Sequence, residues 1–514
     1  MPAILGGLAP IALGLTPNPP LTIDPVPQVI QIAAIDPRFD EAVISGVAVE
    51  DFDGDGRMDI AVVWFATDDQ DRATSTRTLS LLFGAGVGEF VRQDYNLYQY
   101  NQILEALSVF RNGPGGVGVG DFDGDGDRDI IVTPYFGDEV WFFENLGARQ
   151  FTGRLKFPFG TNTTGNFITP PEVICKDLDG DGRDEAIYLV DPVFQINSDV
   201  VHIWRTTSDM ANLRLTGWEG LDGGVFVQWT RGLAVDDIDG DGRPDVCFTG
   251  SINPPNEDDP VVVCWTDLNV TSGQFAVSYV IPGTLASDLV SVRNRACGAD
   301  LMVLGINGDR VELWKNVCDD GEVVFGGQAT GLAALAANRG MHGVASDIDG
   351  DGDRDVVIKH LFGNSANTRQ IQILRAETGG LDWTLETAAP ISTVGFTDPP
   401  DNPILRPNTL AVRDLWGNTL PEIVAAFGPT QGRLELVFWT SGCVGDISGD
   451  GIVDLLDLTG ILSGFGLCAG DPGFSQGADV DRDGCVGLGD LNAVLADLGC
   501  SPFPTGVAPA RRNK

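Results

Sequence analysis

The ten-residue segment DFDGDGRMDI at 51–60 recurs along the chain with the same order of acidic residues and glycines. The other strong copies begin at Asp121, Asp177, Asp237 and Asp347. Two weaker copies that begin at residues 292 and 414 fill the remaining gaps, so the seven copies are spaced by 55 to 70 residues. A period of this size, with several short strands in each repeat, is typical of a β-propeller.

A typical repeat contains four short β-forming segments, with the acidic loop between the first and the second. The seventh repeat runs from RLELVFWTSG directly into Cys443 and has no segment for a fourth strand, whereas PQVIQIAAID at 27–36 precedes the first loop and has no repeat of its own. Pairing of this segment with the last repeat would remove two open sheet edges. The sequence therefore predicts a mainly β fold, a seven-bladed β-propeller over residues 27–442 in which an N-terminal strand closes the last blade.

The residues that follow each strong loop distinguish an EF-hand from a loop between two strands. An EF-hand takes ligands from positions 1, 3, 5, 7 and 9 and from an acidic side chain at position 12. Position 12 of the strong loops is apolar or aromatic, namely Val62, Val132, Tyr188, Phe248 and Ile358. We therefore expect loops that join two strands and bind Ca²⁺ through side chains 1, 3, 5 and 9. The predicted ligands are Asp51, Asp53, Asp55, Asp59, Asp121, Asp123, Asp125, Asp129, Asp177, Asp179, Asp181, Glu185, Asp237, Asp239, Asp241, Asp245, Asp347, Asp349, Asp351 and Asp355.

The two weaker loops keep few of these acids. The fifth loop retains Asp300 at position 9, and the seventh retains Asp414 at position 1 and Glu422 at position 9. We expect neither of them to hold an ion. The whole chain has 73 acidic and 32 basic residues, for a net charge of −41. Such a charge repels nucleic acid and anionic membranes and suits a protein that binds divalent cations.

Residues 443–500 contain two acidic loops of a different kind, because position 12 is acidic in both and each loop leads into a helical pattern. The predicted Ca²⁺ ligands of this segment are Asp446, Ser448, Asp450, Asp454, Asp457, Asp479, Asp481, Asp483 and Asp490. The predicted apolar faces of the two helices comprise Leu458, Ile461 and Leu462 in the first and Leu491, Val494, Leu495 and Leu498 in the second. The sequence predicts a small α-helical calcium-loop domain.

Both parts resemble known families. The repeats GDFDGDG and DIIVTPYFGDEVWFFENLGARQF resemble FG-GAP and VCBS-type repeats, whose fold resembles the head of the integrin alpha subunit. The two loop–helix units of 443–500 resemble a type I dockerin. That resemblance implies docking to a cohesin-like protein through positions 10 and 11 of each loop, which are Leu455 and Leu456 in the first and Leu488 and Gly489 in the second. An alternative is a calcium-folded cap that binds no partner.

The cysteines and the calcium loops indicate an exported protein. Four of the nine cysteines lie in the C-terminal segment, where disulfides Cys443–Cys468 and Cys485–Cys500 are expected, and a Cys297–Cys318 bridge is a further hypothesis for the fifth repeat. Disulfides require an oxidising compartment. Residues 1–26 resemble a shortened signal peptide, 501–514 are interpreted as a disordered tail, and no apolar run approaches the roughly 20 residues of a membrane helix. We expect a secreted or cell-surface protein.

The sequence offers no visible active site. The three histidines are scattered along the chain, and HExxH does not occur. The main hypothesis is a calcium-binding recognition or adhesion protein whose propeller binds a protein or polysaccharide. Two alternatives remain open. One is a polysaccharide-degrading enzyme, an O-glycosyl hydrolase or lyase, carried by the dockerin-like module, and the other is a structural protein of the cell envelope.

Overall fold

The structure is a computed structural model of the 514-residue chain. The residues that it describes are 22–23, 28–35, 39, 41–67, 76–86, 89–97, 114–134, 140–156, 172–189, 201–206, 214–215, 227–228, 232–252, 260–269, 274–282, 286, 288–295, 298–306, 310–316, 325–332, 341–348, 353–360, 370–376, 383–385, 391–392, 409–415, 421–430, 433–439, 441–442, 447, 453–468, 471–475, 478, 485–496 and 498. The signal-peptide hypothesis for 1–26 concerns mostly residues outside these ranges, and the tail 501–514 lies entirely outside them.

The described part of the chain is mainly β, and its strands form antiparallel sheets that follow the repeats in order. Two strands precede the first repeat, β1 (Thr22–Ile23) and β2 (Gln28–Ala34). Sheet one contains β3 (Glu41–Glu50), β4 (Asp59–Thr67), β5 (Thr76–Gly86) and β6 (Glu89–Asn96). Sheet two contains β7 (Pro114–Gly120), β8 (Asp129–Pro134), β9 (Val140–Asn145) and β10 (Phe151–Lys156). Sheet three contains β11 (Val173–Lys176), β12 (Glu185–Leu189), β13 (Val201–Arg205) and β14 (Arg214–Leu215).

The later repeats follow the same plan with small additions. Sheet four contains β15 (Val227–Gln228), β16 (Leu233–Asp236), β17 (Asp245–Ile252), β18 (Pro260–Asn269) and β19 (Gln274–Pro282). Sheet five contains β20 (Asp288–Arg295), β21 (Gly298–Ile306), β22 (Arg310–Asn316) and β23 (Phe325–Leu332). Sheet six contains β24 (Met341–Ser346), β25 (Asp355–His360), β26 (Gln370–Ala376), β27 (Trp383–Leu385) and β28 (Ile391–Ser392). Sheet seven contains β29 (Leu410–Arg413), β30 (Glu422–Thr430) and β31 (Arg433–Trp439), and the short strand β32 (Ser441–Gly442) follows.

The N-terminal strand completes sheet seven. β2 runs antiparallel to β31, with Val29 opposite Val437 and Ile30 opposite Leu436, so the order of this sheet is β2–β31–β30–β29. β1 pairs with β32 in the same way. The pairing that the sequence predicts for the N-terminal segment is thus confirmed, and it covers a sheet edge that the seventh repeat by itself leaves open.

The sheets pack face to face around a cavity, as the blades of a β-propeller do. The first strands of neighbouring sheets contact one another in chain order, and β29 of sheet seven contacts β3 of sheet one. These strands line a cavity of about 690 Å³. Apolar clusters fill the spaces between successive sheets. Because each sheet is packed between two others, second strands such as β8 are buried on both faces and read as continuous apolar runs.

The C-terminal segment contains two packed helices, α1 (Leu455–Gly464) and α2 (Leu488–Ala496). Their small core comprises Val453, Ile461, Ala478, Val486 and Val494, with Leu458 and Leu491 at its edge. The predicted apolar faces are therefore only partly correct, because Leu462, Leu495 and Leu498 are exposed. Ile461 and Val494 belong to this shared core, whereas these three leucines lie on the outer side of the domain. None of the described helices is long and apolar enough to span a membrane.

The C-terminal disulfide differs from the expected pairing. Cys468 is bonded to Cys485, so the bridges expected within each half are wrong. Backbone hydrogen bonds from Val486 to Leu467 (2.8 Å) and from Gly466 to Val486 (2.7 Å) bring the two halves together at this point. The bridge thus links the halves rather than closing either one. A second disulfide joins Cys247 and Cys264, which face each other on β17 and β18. Cys297, Cys318, Cys443 and Cys500 lie outside the described residues.

Candidate metal centres

The four strong acidic loops that the structure describes in full share one backbone arrangement, which the first aspartate fixes. Asp51 accepts hydrogen bonds from the N–H of Gly54 (2.9 Å) and of Gly56 (2.8 Å). Both glycines have positive φ angles, 73° and 85°, which other residues rarely adopt. The same two bonds occur in the loops that begin at Asp121, Asp177 and Asp237. Each loop therefore folds around its own first carboxylate.

This arrangement brings several of the predicted ligands together. In each of four loops, carboxylate oxygens of three residues lie within 4.8 Å of one another. In the first three loops these residues occupy positions 1, 3 and 9, and in the fourth they occupy positions 1, 3 and 5. The clusters are Asp51, Asp53 and Asp59, then Asp121, Asp123 and Asp129, then Asp177, Asp179 and Glu185, and finally Asp237, Asp239 and Asp241. Oxygen clusters of this kind can hold a hard divalent cation.

Other predicted ligands lie apart from these clusters or outside the described residues. The position-5 side chains Asp55, Asp125 and Asp181 each accept the backbone N–H of position 7 at 2.9 Å. In the fifth strong loop Asp347 and Asp355 are described, whereas Asp349 and Asp351 are not. In the C-terminal loops the residues outside the described ranges are Asp446, Ser448, Asp450, Asp479, Asp481 and Asp483.

The described acids of the C-terminal loops sit at the starts of the helices. Asp454 caps α1, and the buried Asp457 accepts its N–H at 2.8 Å, so the two form a capping box. Asp490 is also buried and accepts the N–H of Gly487 at 2.5 Å. Both position-12 carboxylates therefore lie at the base of their loops, where the sequence places a Ca²⁺ ligand.

Position 9 has a second role, which the sequence did not reveal. The buried Asp59 accepts hydrogen bonds from the N–H of Phe52 (2.8 Å) and from that of Gly84 (2.7 Å), at the end of the third strand of the sheet. It therefore clamps the loop to the sheet through its own oxygens. The bond from position 2 to position 9 recurs between Phe122 and Asp129 (3.1 Å), Leu178 and Glu185 (2.7 Å), Ile238 and Asp245 (2.8 Å), Ile348 and Asp355 (3.0 Å), and Leu415 and Glu422 (2.7 Å).

The two weaker repeats keep this clamp. Asp300 is buried and accepts the N–H of Asn316 at 2.7 Å, and Glu422 forms the bond to Leu415. The sequence signal was present, because position 9 stays acidic in both repeats although most other loop acids are gone. An acid that persists without its partner ligands indicates a structural role beyond ion binding.

The loops also join neighbouring sheets. The side-chain amide of Asn145 in sheet two donates to the carbonyl of Phe52 in the first loop at 2.7 Å, and Asn316 in sheet five donates to Ile238 in the fourth loop at 2.6 Å. Arg149 forms an ion pair with Asp53 at 2.5 Å. Because these bonds cross from one sheet to the next, the order of a loop affects the packing of two sheets.

Burial raises the pKa of four of the position-9 acids. The pKa of Asp59 is raised to about 6, and those of Asp129, Glu185 and Asp245 to about 8. Removal from water is the main cause; backbone N–H groups lower these pKa values in part, and neighbouring loop carboxylates raise them. Glu185 Oε1 is buried and has no hydrogen-bond partner among the described residues. A cation in the loop would supply the missing interaction and favour the charged carboxylates.

These pKa shifts predict how the stability of the metal-free protein depends on pH. The unfolded chain loses the corresponding protons near pH 4, whereas the folded protein keeps them up to about pH 6–8. Because the folded state then binds more protons, the free energy of unfolding is expected to fall as the pH rises from about 4 to about 8. Melting temperatures in chelator across this range test the slope. Added Ca²⁺ should flatten it and release protons, and a chelated protein that gains stability from pH 5 to 8 would contradict this prediction.

Comparison with known proteins supports the repeat assignment. The family model described as FG-GAP-like repeat matches residues 121–188, which contain the second and third acidic loops. No curated protein is significantly similar to the chain in sequence.

Several solved structures are similar to the chain at low sequence identity. A puromycin hydrolase mutant is 13% identical with a TM-score of 0.38, and the match covers 77% of this chain and 53% of the hydrolase, so the chain spans about half of its length. The Dos1 propeller is 7% identical with a TM-score of 0.41, and the match covers 82% of this chain and 94% of that chain. The rhamnogalacturonan lyase YesW is 14% identical with a TM-score of 0.35, covering 79% and 90% of the two chains. The chain is thus a mainly β protein with a propeller arrangement of sheets, and its residues 121–188 match the FG-GAP-like repeat model.

Proposed function

We propose that the chain is a secreted or cell-surface calcium-binding recognition protein. Its sheets one to seven form a seven-bladed propeller over 27–442 that binds a protein or polysaccharide, and its dockerin-like module at 443–500 docks to a cohesin-like partner. The convergence of three carboxylates in each of four loops is the observation that carries the proposal. Ca²⁺ in these loops holds neighbouring blades together and so fixes the surface that the propeller presents.

The ligand atoms favour calcium over other divalent ions. The clustered ligands are carboxylate oxygens, which Ca²⁺ accepts in flexible loops, whereas Mg²⁺ demands a stricter octahedral geometry. Zn²⁺ prefers nitrogen or sulfur donors among its ligands. The disulfides Cys247–Cys264 and Cys468–Cys485 indicate an oxidising compartment, which agrees with an extracellular site of action.

The C-terminal helices carry an apolar surface that supports docking. Seven of the exposed large apolar side chains among the described residues lie in this module: Leu455, Leu456, Leu462, Phe465, Leu488, Leu495 and Leu498. Leu455, Leu456 and Leu488 occupy loop positions 10 and 11, through which a dockerin is expected to bind, and are 73%, 57% and 67% exposed. A concentration of exposed apolar groups is typical of a surface that binds another protein. Predicted Ca²⁺ ligands lie next to these leucines in the chain, Asp454 and Asp457 in the first loop and Asp490 in the second, and would make docking depend on calcium.

Replacing Leu456 with aspartate is expected to weaken binding of the full chain to a purified cohesin by at least about 30-fold, the cost of a hot-spot residue. Leu146→Asp is the matched control, because Leu146 lies in the turn after β9 of sheet two, outside the C-terminal module, and both leucines are 57% exposed. Isothermal titration against a panel of cohesins, in Ca²⁺ and then in chelator, measures the effect.

Equal loss of affinity in both variants, or binding that survives chelation, would contradict the docking proposal. If no cohesin binds while the full chain retains a polysaccharide or protein ligand, the C-terminal module acts as a cap. Release of sugar products from pectin or hemicellulose in the same assays would instead favour the enzyme alternative.

A further inference from the structure

The first strands of the sheets carry a cluster of ionisable side chains at the end of the cavity opposite the acidic loops. Glu172 directly precedes β11 of sheet three, Asp288 begins β20 of sheet five, and His342 is the second residue of β24 of sheet six. Glu172 and His342 line the cavity. A carboxylate oxygen of each acid and a ring nitrogen of His342 lie within 4.8 Å of one another.

Asp288 is fixed at the centre of this cluster. Its Oδ1 accepts the N–H of Leu289 at 2.8 Å, and its Oδ2 accepts the N–H of Gly343 at 2.9 Å. His342 Nδ1 lies 2.9 Å from the same Oδ2. The aspartate thus ties sheet five to sheet six and orients the imidazole.

Glu172 reaches Asp288 across the intervening sheet four because that sheet has a glycine here. A Cβ atom on Gly232 would lie 2.3 Å from the backbone nitrogen of Leu289, so a larger residue would push β16 and β20 apart. Glu172 instead accepts the N–H of Leu233 and forms a side-chain hydrogen bond with Asp288. Three sheets therefore contribute to one cluster.

The cluster has unmet electrostatic requirements. Burial raises the pKa of Glu172, and the adjacent Asp288 carboxylate raises it further. His342 is 7% exposed, and its Nε2 is buried with no hydrogen-bond partner among the described residues. Two adjacent carboxylates and an imidazole in a protein interior require either a shared proton or a cation.

We propose that Glu172, Asp288 and His342 bind a first-row transition-metal dication of the Zn²⁺ class at this end of the cavity. The donor set separates this site from the acidic loops, because imidazole nitrogen suits Zn²⁺ and its neighbours in the first row, whereas Ca²⁺ takes oxygen ligands. Three protein ligands leave a coordination position for a donor from the cavity, as open zinc sites do. The site is independent of the calcium loops and of docking.

One position of the repeat contains a sequence signal for this cluster, which can be recognised only once the structure is known. The residue five places before the loop is glycine in the first, second and fourth repeats, at Gly46, Gly116 and Gly232. In the third and sixth repeats it is Glu172 and His342. The fifth and seventh repeats have Ser287 and Thr409 there, so two of the four repeats without this glycine supply proposed ligands.

Titration of the metal-stripped full chain with Zn²⁺, in an excess of Ca²⁺ that fills the loops, tests the proposal. The wild type is expected to bind one Zn²⁺ that His342→Ala and Glu172→Gln bind at least about 100-fold more weakly, since even partners outside the ligand set change metal affinity 10–100-fold. Glu172→Gln keeps the shape and a hydrogen-bonding group of the side chain. His202→Ala is the control, because His202 lies in β13, the third strand of its sheet, opposite Tyr188.

Co²⁺ provides a second readout that a purely structural role would not change. Strong visible absorption bands of Co²⁺ report a four- or five-coordinate site, in contrast to the weak bands of the octahedral ion. They are expected in the wild type and in His202→Ala, but not in His342→Ala. Circular dichroism and melting in Ca²⁺ confirm that each variant is folded. Equal Zn²⁺ affinity in the wild type and His342→Ala, or no Zn²⁺ binding by a folded wild type, would overturn the proposal and leave a proton-sharing cluster. Calcium stoichiometry from the same samples tests the loops separately.

Discussion

Asp300→Ala is expected to lower the free energy of unfolding by roughly 3 kcal/mol without changing the number of bound calcium ions. Loss of the acceptor of a buried N–H costs about 1–3 kcal/mol, and the substitution removes the carboxylate that accepts the Asn316 N–H and adds a cavity. The fifth loop lacks acids at positions 1, 3 and 5, so no ion should be lost. Chemical denaturation gives the change in free energy, and calcium titration gives the stoichiometry.

Asp123→Ala is the opposite case, because it should remove an ion ligand and leave the position-9 clamp intact. Asp123 occupies position 3 of the second loop and belongs to one of the carboxylate clusters, so its loss should remove one calcium ion and destabilise the protein mainly when Ca²⁺ is present. Asp300→Asn, which keeps a carbonyl oxygen for the Asn316 N–H, should recover part of the stability lost in Asp300→Ala. Loss of a calcium ion in Asp300→Ala, or equal destabilisation of both alanine variants in chelator, would show that clamp and ligand are not separate roles.

Chelation of calcium is expected to lower the melting temperature of the propeller by about 10 °C. Each site contributes about 2.7 kcal/mol when the ligand is at 100 times its dissociation constant. Four carboxylate clusters are described, and a folded unit of about 400 residues loses about 1 °C for each kcal/mol. Differential scanning calorimetry in Ca²⁺ and in chelator measures the shift. Asn145 and Asn316 form hydrogen bonds to the loops of neighbouring sheets. We therefore expect the blades to unfold cooperatively, in one transition.

Addition of excess Ca²⁺ to the chelated protein should restore the melting temperature, whereas the same concentration of Mg²⁺ should restore little of it. Asp51→Ala and Asp121→Ala should each remove a part of the calcium-dependent gain, since each deletes the first carboxylate of one cluster. A melting temperature that is equal in Ca²⁺ and in chelator would show that the loops stabilise the blades without an ion.

Local patterns in the sequence predicted much of the architecture. The spacing of the acidic loops and the apolar runs around them predicted the repeated strands, and the missing fourth strand of the last repeat predicted the pairing of β2 with β31. Such inferences succeed because strand formation and tight glycine turns depend on residues close together in the chain. The predicted pairing of the C-terminal cysteines was wrong because it depends on residues that are distant in the chain. Its partners meet through hydrogen bonds between Leu467 and Val486, and no spacing rule specifies these bonds.

The sequence by itself determined the elements of this protein: the repeated strands, the acidic loops that fold on their first aspartate, and the two C-terminal helices. Only the tertiary structure decided which residues of different elements are in contact and which are buried. It assigned Asp300 and Glu422 to a buried clamp, left leucines of α1 and α2 exposed, and brought Glu172 and His342 together from different sheets. The physical reason is that backbone preferences act over a few residues, whereas burial, charge pairing and ligand geometry depend on sheets that are distant in the chain.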